Sequence, residues 1–173
     1  MWNDEEMLIR TASGEEMLAL WGYPRLDAAS PTARFFNQNI ASGNAVFWTL
    51  EHEGALIGEL YTFFDLPDKD FADGKTTAYL CAFRVKPDFR GRGLGSRLME
   101  AALGELKTRG FCRATIGVSE SEPQNLRLYR RFGFTEKVKD CRADPCAMDE
   151  NMQPVVDPEP WVLLCKELQE GKE

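Results

Sequence analysis

The chain has 173 residues, 43% hydrophobic and 28% charged, which suits one soluble globular domain with a substantial core. Its 28 acidic residues outweigh 21 basic ones, and the net charge of −7 argues against general affinity for nucleic acid or anionic membranes. No window approaches the roughly 20 apolar residues that span a bilayer, and the acidic start, MWNDEEML, lacks a signal peptide's layout, so a cytoplasmic protein is expected.

In chain order, EMLIRTA (residues 6–12) reads as a strand, and Ser13 with Glu16 forms the capping box of a helix through Met17, Leu18, Leu20 and Trp21. After a loop marked by Gly22, Pro24 and Pro31, TARFFNQNIASG predicts a second helix ending near Gly43. Residues 45–66 predict a hairpin turning at His52-Glu53-Gly54, with His52 exposed in the turn. An acidic loop (67–75) leads to TTAYLCAFRV (76–85), whose continuous apolar centre predicts a central strand. A helix follows with Leu94, Leu98, Ala101, Ala102 and Leu106 at helical spacing. Then come a β-branched strand from Cys112, a short helix from Pro123 stopped by Gly133, and two strands, FTEKVKD and WVLLCKEL. Between those two, residues 141–160 carry four prolines and an acidic excess, and read as a long loop. The expected fold is a single α/β domain over residues 1–173, with a mixed, mostly antiparallel central sheet flanked by helices. The five cysteines, an odd number, read as reduced thiols, and Cys141-x-x-x-x-Cys146 has no second pair or nearby histidine to complete a metal site.

The stretch FRVKPDFRGRGLGSRL (83–98) sets Gly91, Gly93 and Gly95 at alternate positions between strand and helix, amid Arg84, Lys86, Arg90, Arg92 and Arg97. The first N–H groups of a helix lack intrahelical partners, and the macrodipole adds positive charge there. Glycine lets backbone approach a phosphate without Cβ interference, so the turn reads as an anion site rather than a solvated loop. One ligand class is a dinucleotide: Gly91, Gly93 and Ser96 nearly match G-x-G-x-x-G, and Glu120 ends the next strand where a ribose ligand would sit. That would make the chain a nicotinamide-binding oxidoreductase. Against it, five residues separate the glycines from their strand, over 80 precede them, and too few follow for a substrate domain.

The second class rests on a resemblance. Arg90-Gly91-Arg92-Gly93-Leu94-Gly95 matches [Gln/Arg]-x-x-Gly-x-Gly, the signature of the GNAT superfamily of acyl-CoA N-acyltransferases. FRVKPDF resembles that superfamily's central strand and its approach to the turn, and NLRLYRRFGF resembles its second signature, a helix with Leu-Tyr before Gly-Phe. The resemblance runs from the first strand to Leu168 and is sharpest from Tyr79 to Phe134. It implies a sheet with a splayed central strand pair, acetyl-CoA as acetyl donor, and direct transfer to a primary amine. The pyrophosphate would lie on the N–H groups of residues 91–96 (Gly91, Arg92, Gly93, Leu94, Gly95, Ser96), with Arg90 and Arg92 adding charge. The backbone of Phe83, Arg84 and Val85 would pair with the pantetheine arm, and one of their N–H groups would polarise the thioester carbonyl.

Tyr129 stands where the family's general acid stands, four residues before Gly133. An amine with pKa near 10.4 must also lose a proton before attack. Residues 79–83 offer no glutamate for that, so Glu120 is the first candidate base, with Glu59 and Asp65 as others on one strand face. Where many relatives carry Asn seven residues before the tyrosine, this chain has Glu122, and Asn125 instead would touch the pantetheine or cap the helix. The acidic loops at 65–73 and 144–160, if they flank the acceptor mouth, favour a cationic small molecule such as a polyamine or aminoglycoside. A protein lysine or N-terminus as acceptor, and a silent acyl-CoA-binding protein, are the alternatives. The expected state is a monomer or homodimer without nucleic-acid or membrane partners.

Overall fold

The computed structural model describes residues 6–168. Strands β1 (Met7–Ala12), β2 (Ala45–His52), β3 (Ala55–Phe63), β4 (Thr77–Val85), β5 (Arg113–Val118), β6 (Glu136–Met148) and β7 (Pro154–Glu167) form one sheet in the order β1-β2-β3-β4-β5-β7-β6. Every neighbouring pair is antiparallel except β4 and β5. Helices α1 (Gly14–Leu20) and α2 (Pro31–Ser42) precede β2, α3 (Leu94–Thr108) crosses from β4 to β5, and α4 (Pro123–Arg131) leads to β6. No helix among the described residues is long and apolar enough to cross a membrane.

Alternation along the strands builds two cores. Ala78 and Leu80 of β4, Ala114 and Ile116 of β5, and Val162 and Leu164 of β7 pack with Leu98, Met99 and Ala102 of α3. Their neighbours Tyr79, Trp161 and Leu163 face the other way, onto Met17 of α1 and Phe36 of α2. Both faces of the central strands are therefore covered, which is why β4 reads as an unbroken apolar run.

Local signals set the helix ends. Ser13 Oγ accepts the Glu16 N–H at 3.1 Å and Glu16 Oε1 accepts the Ser13 N–H at 3.0 Å, closing the capping box of α1. Ser13→Ala is expected to cost about 1 kcal/mol, read as a shift in the unfolding midpoint. Gly43 ends α2 at φ 84°, a left-handed conformation that glycine adopts without strain.

Two expectations change. Residues 141–160 are the distal part of a long hairpin, β6 with β7, rather than a loop. Its register shifts at Lys137/Lys139, Cys141/Ala143 and Asp144/Met148. Cys141 pairs with Trp161 and Ala143 with Val156, so residues 157–160 bulge out, and Pro158 and Pro160, which have no N–H, owe the ladder nothing there. His52 is not in an exposed turn. It is the last residue of β2, paired with Met7, buried, and edge-on to Phe89 at 5.4 Å. All five cysteines are free thiols.

Candidate active site

β4 pairs with β5 only from Thr77 to Leu80, while β5 keeps β7 beside it as far as Val118. Beyond Leu80 the two central strands part. On its other edge β4 carries a bulge, for Tyr61 faces Cys81 and Glu59 faces Arg84, which leaves Ala82 and Phe83 opposite Leu60 alone. Ala82 sits at φ 54°, a left-handed conformation that costs a non-glycine residue roughly 1–2 kcal/mol. Bulges with such strain recur beside reaction sites because they re-aim the backbone.

A cleft of about 840 Å³ occupies the parting. Its walls are Phe83, Arg84 and Val85 of β4, the turn from Phe89 to Ser96, and the α4 face carrying Asn125, Leu128, Tyr129 and Phe132. Gly93 caps α3 at φ 78° with no side-chain hydrogen bond, and the first helical bond there runs from Arg97 N–H to Gly93 C=O. The N–H groups of Leu94, Gly95 and Ser96 thus lead the helix without intrahelical acceptors. A Cβ on Gly91 or Gly93 would stand in open space, so the turn is bare backbone facing the cleft, as an anion requires. Arg90 Nε donates to the Val85 carbonyl at 2.7 Å, tying the turn back to the strand. The turn and the cleft fit a pyrophosphate carrying an extended arm.

Tyr129 hangs from α4 into this cleft with its ring 6.4 Å from that of Phe83. Burial, with smaller contributions from Glu122 and Cys81, pushes its phenol up to about 12. Its hydroxyl makes no hydrogen bond to another described residue.

On the other side of β4 lies a second cavity, about 580 Å³, walled by Trp21, Tyr23, Phe36, Cys81, Ala82 and residues 144, 146 and 147 of β6. Glu59 and Arg84 also line it, and Arg84 is common to this cavity and the cleft. Glu59 accepts three hydrogen bonds: Oε1 from Trp21 Nε1 at 2.9 Å and Tyr61 OH at 2.8 Å, and Oε2 from Arg84 Nε at 2.9 Å. A third cavity of about 340 Å³ adjoins, lined by Ser119, Ser121, Glu122, Asp157, Glu159 and Trp161. Asp144 lines both of these cavities.

Residues 12–134 match the profile of the Acetyltransferase (GNAT) family. The chain belongs to the GNAT acetyltransferase family. The spermine/spermidine N(1)-acetyltransferase of Bacillus subtilis (strain 168) is 32% identical over 87 residues, 49% of this chain and 56% of that protein. The ribosomal protein bS18-alanine N-acetyltransferase of Salmonella typhimurium is 41% identical over 59 residues, 34% of this chain and 40% of that protein. The chain thus spans about half, or less, of the length of these curated relatives. A GNAT family acetyltransferase from Elizabethkingia anophelis with acetyl-CoA bound superposes with a TM-score of 0.60 at 18% identity, covering 94% of this chain and 99% of that one. That likeness shows the GNAT fold.

The GNAT cleft brings together Tyr129, Asn125, Phe83, Arg84, Val85, Arg90, Gly91, Gly93, Leu94, Gly95 and Ser96. Arg92 lies exposed between the two glycines but does not line the cleft. Leu94 contributes backbone there, since the residue is buried in the α3 core. Asn125 does not cap α4, whose N-cap is Glu122, and it faces the cleft instead. The base candidates scatter. Glu120 is exposed in the turn after β5 and lines none of the three cavities. β3 stops at Phe63, so Asp65 leaves the face of Glu59 and pairs with Lys69 in solvent at 2.6 Å. Asp144, in the stretch expected to be loop, lies instead on β6. The signal was present in Cys141, Cys146 and Met148, which recur as apolar positions and are buried.

Proposed function

We propose that this chain transfers the acetyl group of acetyl-CoA directly to a primary amine of a small, cationic molecule. One observation carries the reading: the cleft and the cavity share Arg84 and are lined, respectively, by Phe83 and Ala82 of the same bulged segment of β4, with Tyr129 on the cleft side. A thioester lying along β4 would present its carbonyl at that bulge, where a strand N–H would stabilise the developing oxyanion. The amine nitrogen forms its bond to the carbonyl carbon and the carbon–sulfur bond breaks. The phenol of Tyr129 gives its proton to the departing thiolate and recovers one from the acylated nitrogen.

Charge supports a cationic acceptor. The guanidinium of Arg84 is matched by Glu59 and that of Arg142 donates to the carbonyls of Asp157 and Pro158, while four carboxylates (Glu122, Asp144, Asp157 and Glu159) line the adjoining cavities. The named activity of the Bacillus subtilis relative, on spermine and spermidine, agrees in kind.

The test is a calorimetric titration with acetyl-CoA, using NADH as the control ligand, followed by thiol-release assays on a panel of amines. Micromolar binding of acetyl-CoA alone is expected, with turnover on amines that falls as salt rises. NADH binding without acetyl-CoA binding would overturn the reading, and binding without turnover on any amine would leave a silent acyl-CoA-binding protein.

A further inference from the structure

Among the carboxylates near β4, Asp144 differs in what it lacks. Its Oδ1 accepts the Cys146 N–H at 2.9 Å, and the backbone of Ala147 adds a second donor. No Lys, Arg or His among the described residues pairs with it. Every group facing it is neutral, negative or already matched. From β7 comes Asp157, from β4 the phenol of Tyr79, and from its own strand the thiol of Cys146. Glu59, Arg84 and Cys81 look across the larger cavity, and Glu122 and Glu159 line the smaller one. Of the nearby guanidiniums, that of Arg84 is held by Glu59 at 2.9 Å, and that of Arg142, two residues earlier on β6, donates to the carbonyls of Asp157 and Pro158. A half-buried carboxylate without a countercharge is costly unless a ligand supplies the charge. Desolvation, with the field of Asp157, raises its proton affinity above that of an ordinary aspartate.

Its position adds a direction. One side of Asp144 lines the cavity that touches β4 at Cys81 and Ala82, and the other lines the cavity bounded by the bulge of β7. That second cavity has hydroxyls and carboxylates on its walls (Ser119, Ser121, Asp157, Glu159), groups that order water and carry protons.

We propose that Asp144 is the general base, which takes the proton of the acceptor's ammonium group and passes it to solvent through the cavity of Asp157 and Glu159. The step balances: the ammonium and the carboxylate become a neutral amine and a carboxylic acid, and the acid returns its proton to water before the next turnover. This assignment rests on the acetyltransferase reading above.

The test compares wild type with Asp144→Asn, which keeps an oxygen for the Cys146 N–H, and with Asp144→Ser, a shorter replacement. Both are assayed by thiol release across pH 6–10 with the best amine of the panel, and acetyl-CoA titration of each variant checks that the fold persists. Asp144→Asn is expected to lower kcat/KM for the amine about 100-fold near neutral pH with acetyl-CoA affinity retained. Its activity is expected to climb tenfold per pH unit toward the amine's own pKa, because only amine already neutral in solution reacts. A variant with the wild-type pH profile, or one whose loss is the same at every pH, overturns the role of Asp144 and leaves the acetyltransferase reading intact. A wild-type protein that acetylates no amine overturns both. If Asp144→Asn fails to bind acetyl-CoA, the same criteria pass to Asp144→Ser.

Discussion

Tyr129→Phe is expected to cut turnover by about 100-fold or more while acetyl-CoA affinity changes little, since general acid catalysis is worth roughly 10²–10⁴. The substitution removes one oxygen and keeps the ring. Packing of that ring on Phe83, 6.4 Å between centroids, therefore persists. The lost oxygen has no partner within the described chain, so no buried group is orphaned and stability is expected to hold. With the phenol pushed up to about 12, the acid form is present at every pH the assay reaches below that value. The wild-type rate should show no fall attributable to Tyr129 ionisation below about pH 11. Unchanged kcat in Tyr129→Phe would remove the residue from the chemistry and leave it as a packed helix aromatic.

Gly93→Val carries the second large effect. Gly93 holds φ 78° as the N-cap of α3, a conformation in which a β-branched residue is a genuine outlier. The strain is about 1–2 kcal/mol, relieved only by turning the peptide away and with it the N–H groups that open the helix. Each 1.4 kcal/mol lost from donor binding is tenfold in Kd, so a loss the size of that strain should weaken acetyl-CoA binding about 5- to 30-fold. Because the Cβ itself would meet no atom within 4 Å, the loss should appear in calorimetric affinity more than in the melting temperature. Equal acetyl-CoA affinity in the variant would show that the turn's conformation is not what holds the anion.

The order of elements was legible because each strand and helix carried its own period and its own stop, from the Ser13-Glu16 box to Gly43 and Gly133. The position of the glycine turn was legible for a related reason: Gly91 and Gly93 sit at positive φ and line the cleft at the start of α3, and glycine is the residue that exposes backbone. The distal extension of β6 and β7 over residues 141–160 was not legible, although the inner parts of both strands were. Period-2 alternation fails wherever the register shifts, and Pro158 and Pro160 look like loop signals while sitting in a bulge. Missing that extension meant missing Asp144. Glu59 was placed on the correct strand, but its donors come from Trp21, 38 residues earlier, and Arg84, 25 later, and only the fold brings them together. His52 was misjudged because a turn is ordinarily exposed, whereas here Met7 pairs with it and Phe89 closes over it.

The broken register of β6 has a consequence for the molecule's neighbours. β6 is the outermost strand of its side of the sheet, and a long outermost strand normally offers a ready row of donors and acceptors to any passing chain. Here that row is interrupted by Pro145, by three shifts of register and by Lys137, Lys139 and Arg142 along its length. An incoming strand would have to match a kinked ladder and bury positive charge at once. The features that disguise this strand as a loop therefore also guard it against runaway strand addition and aggregation.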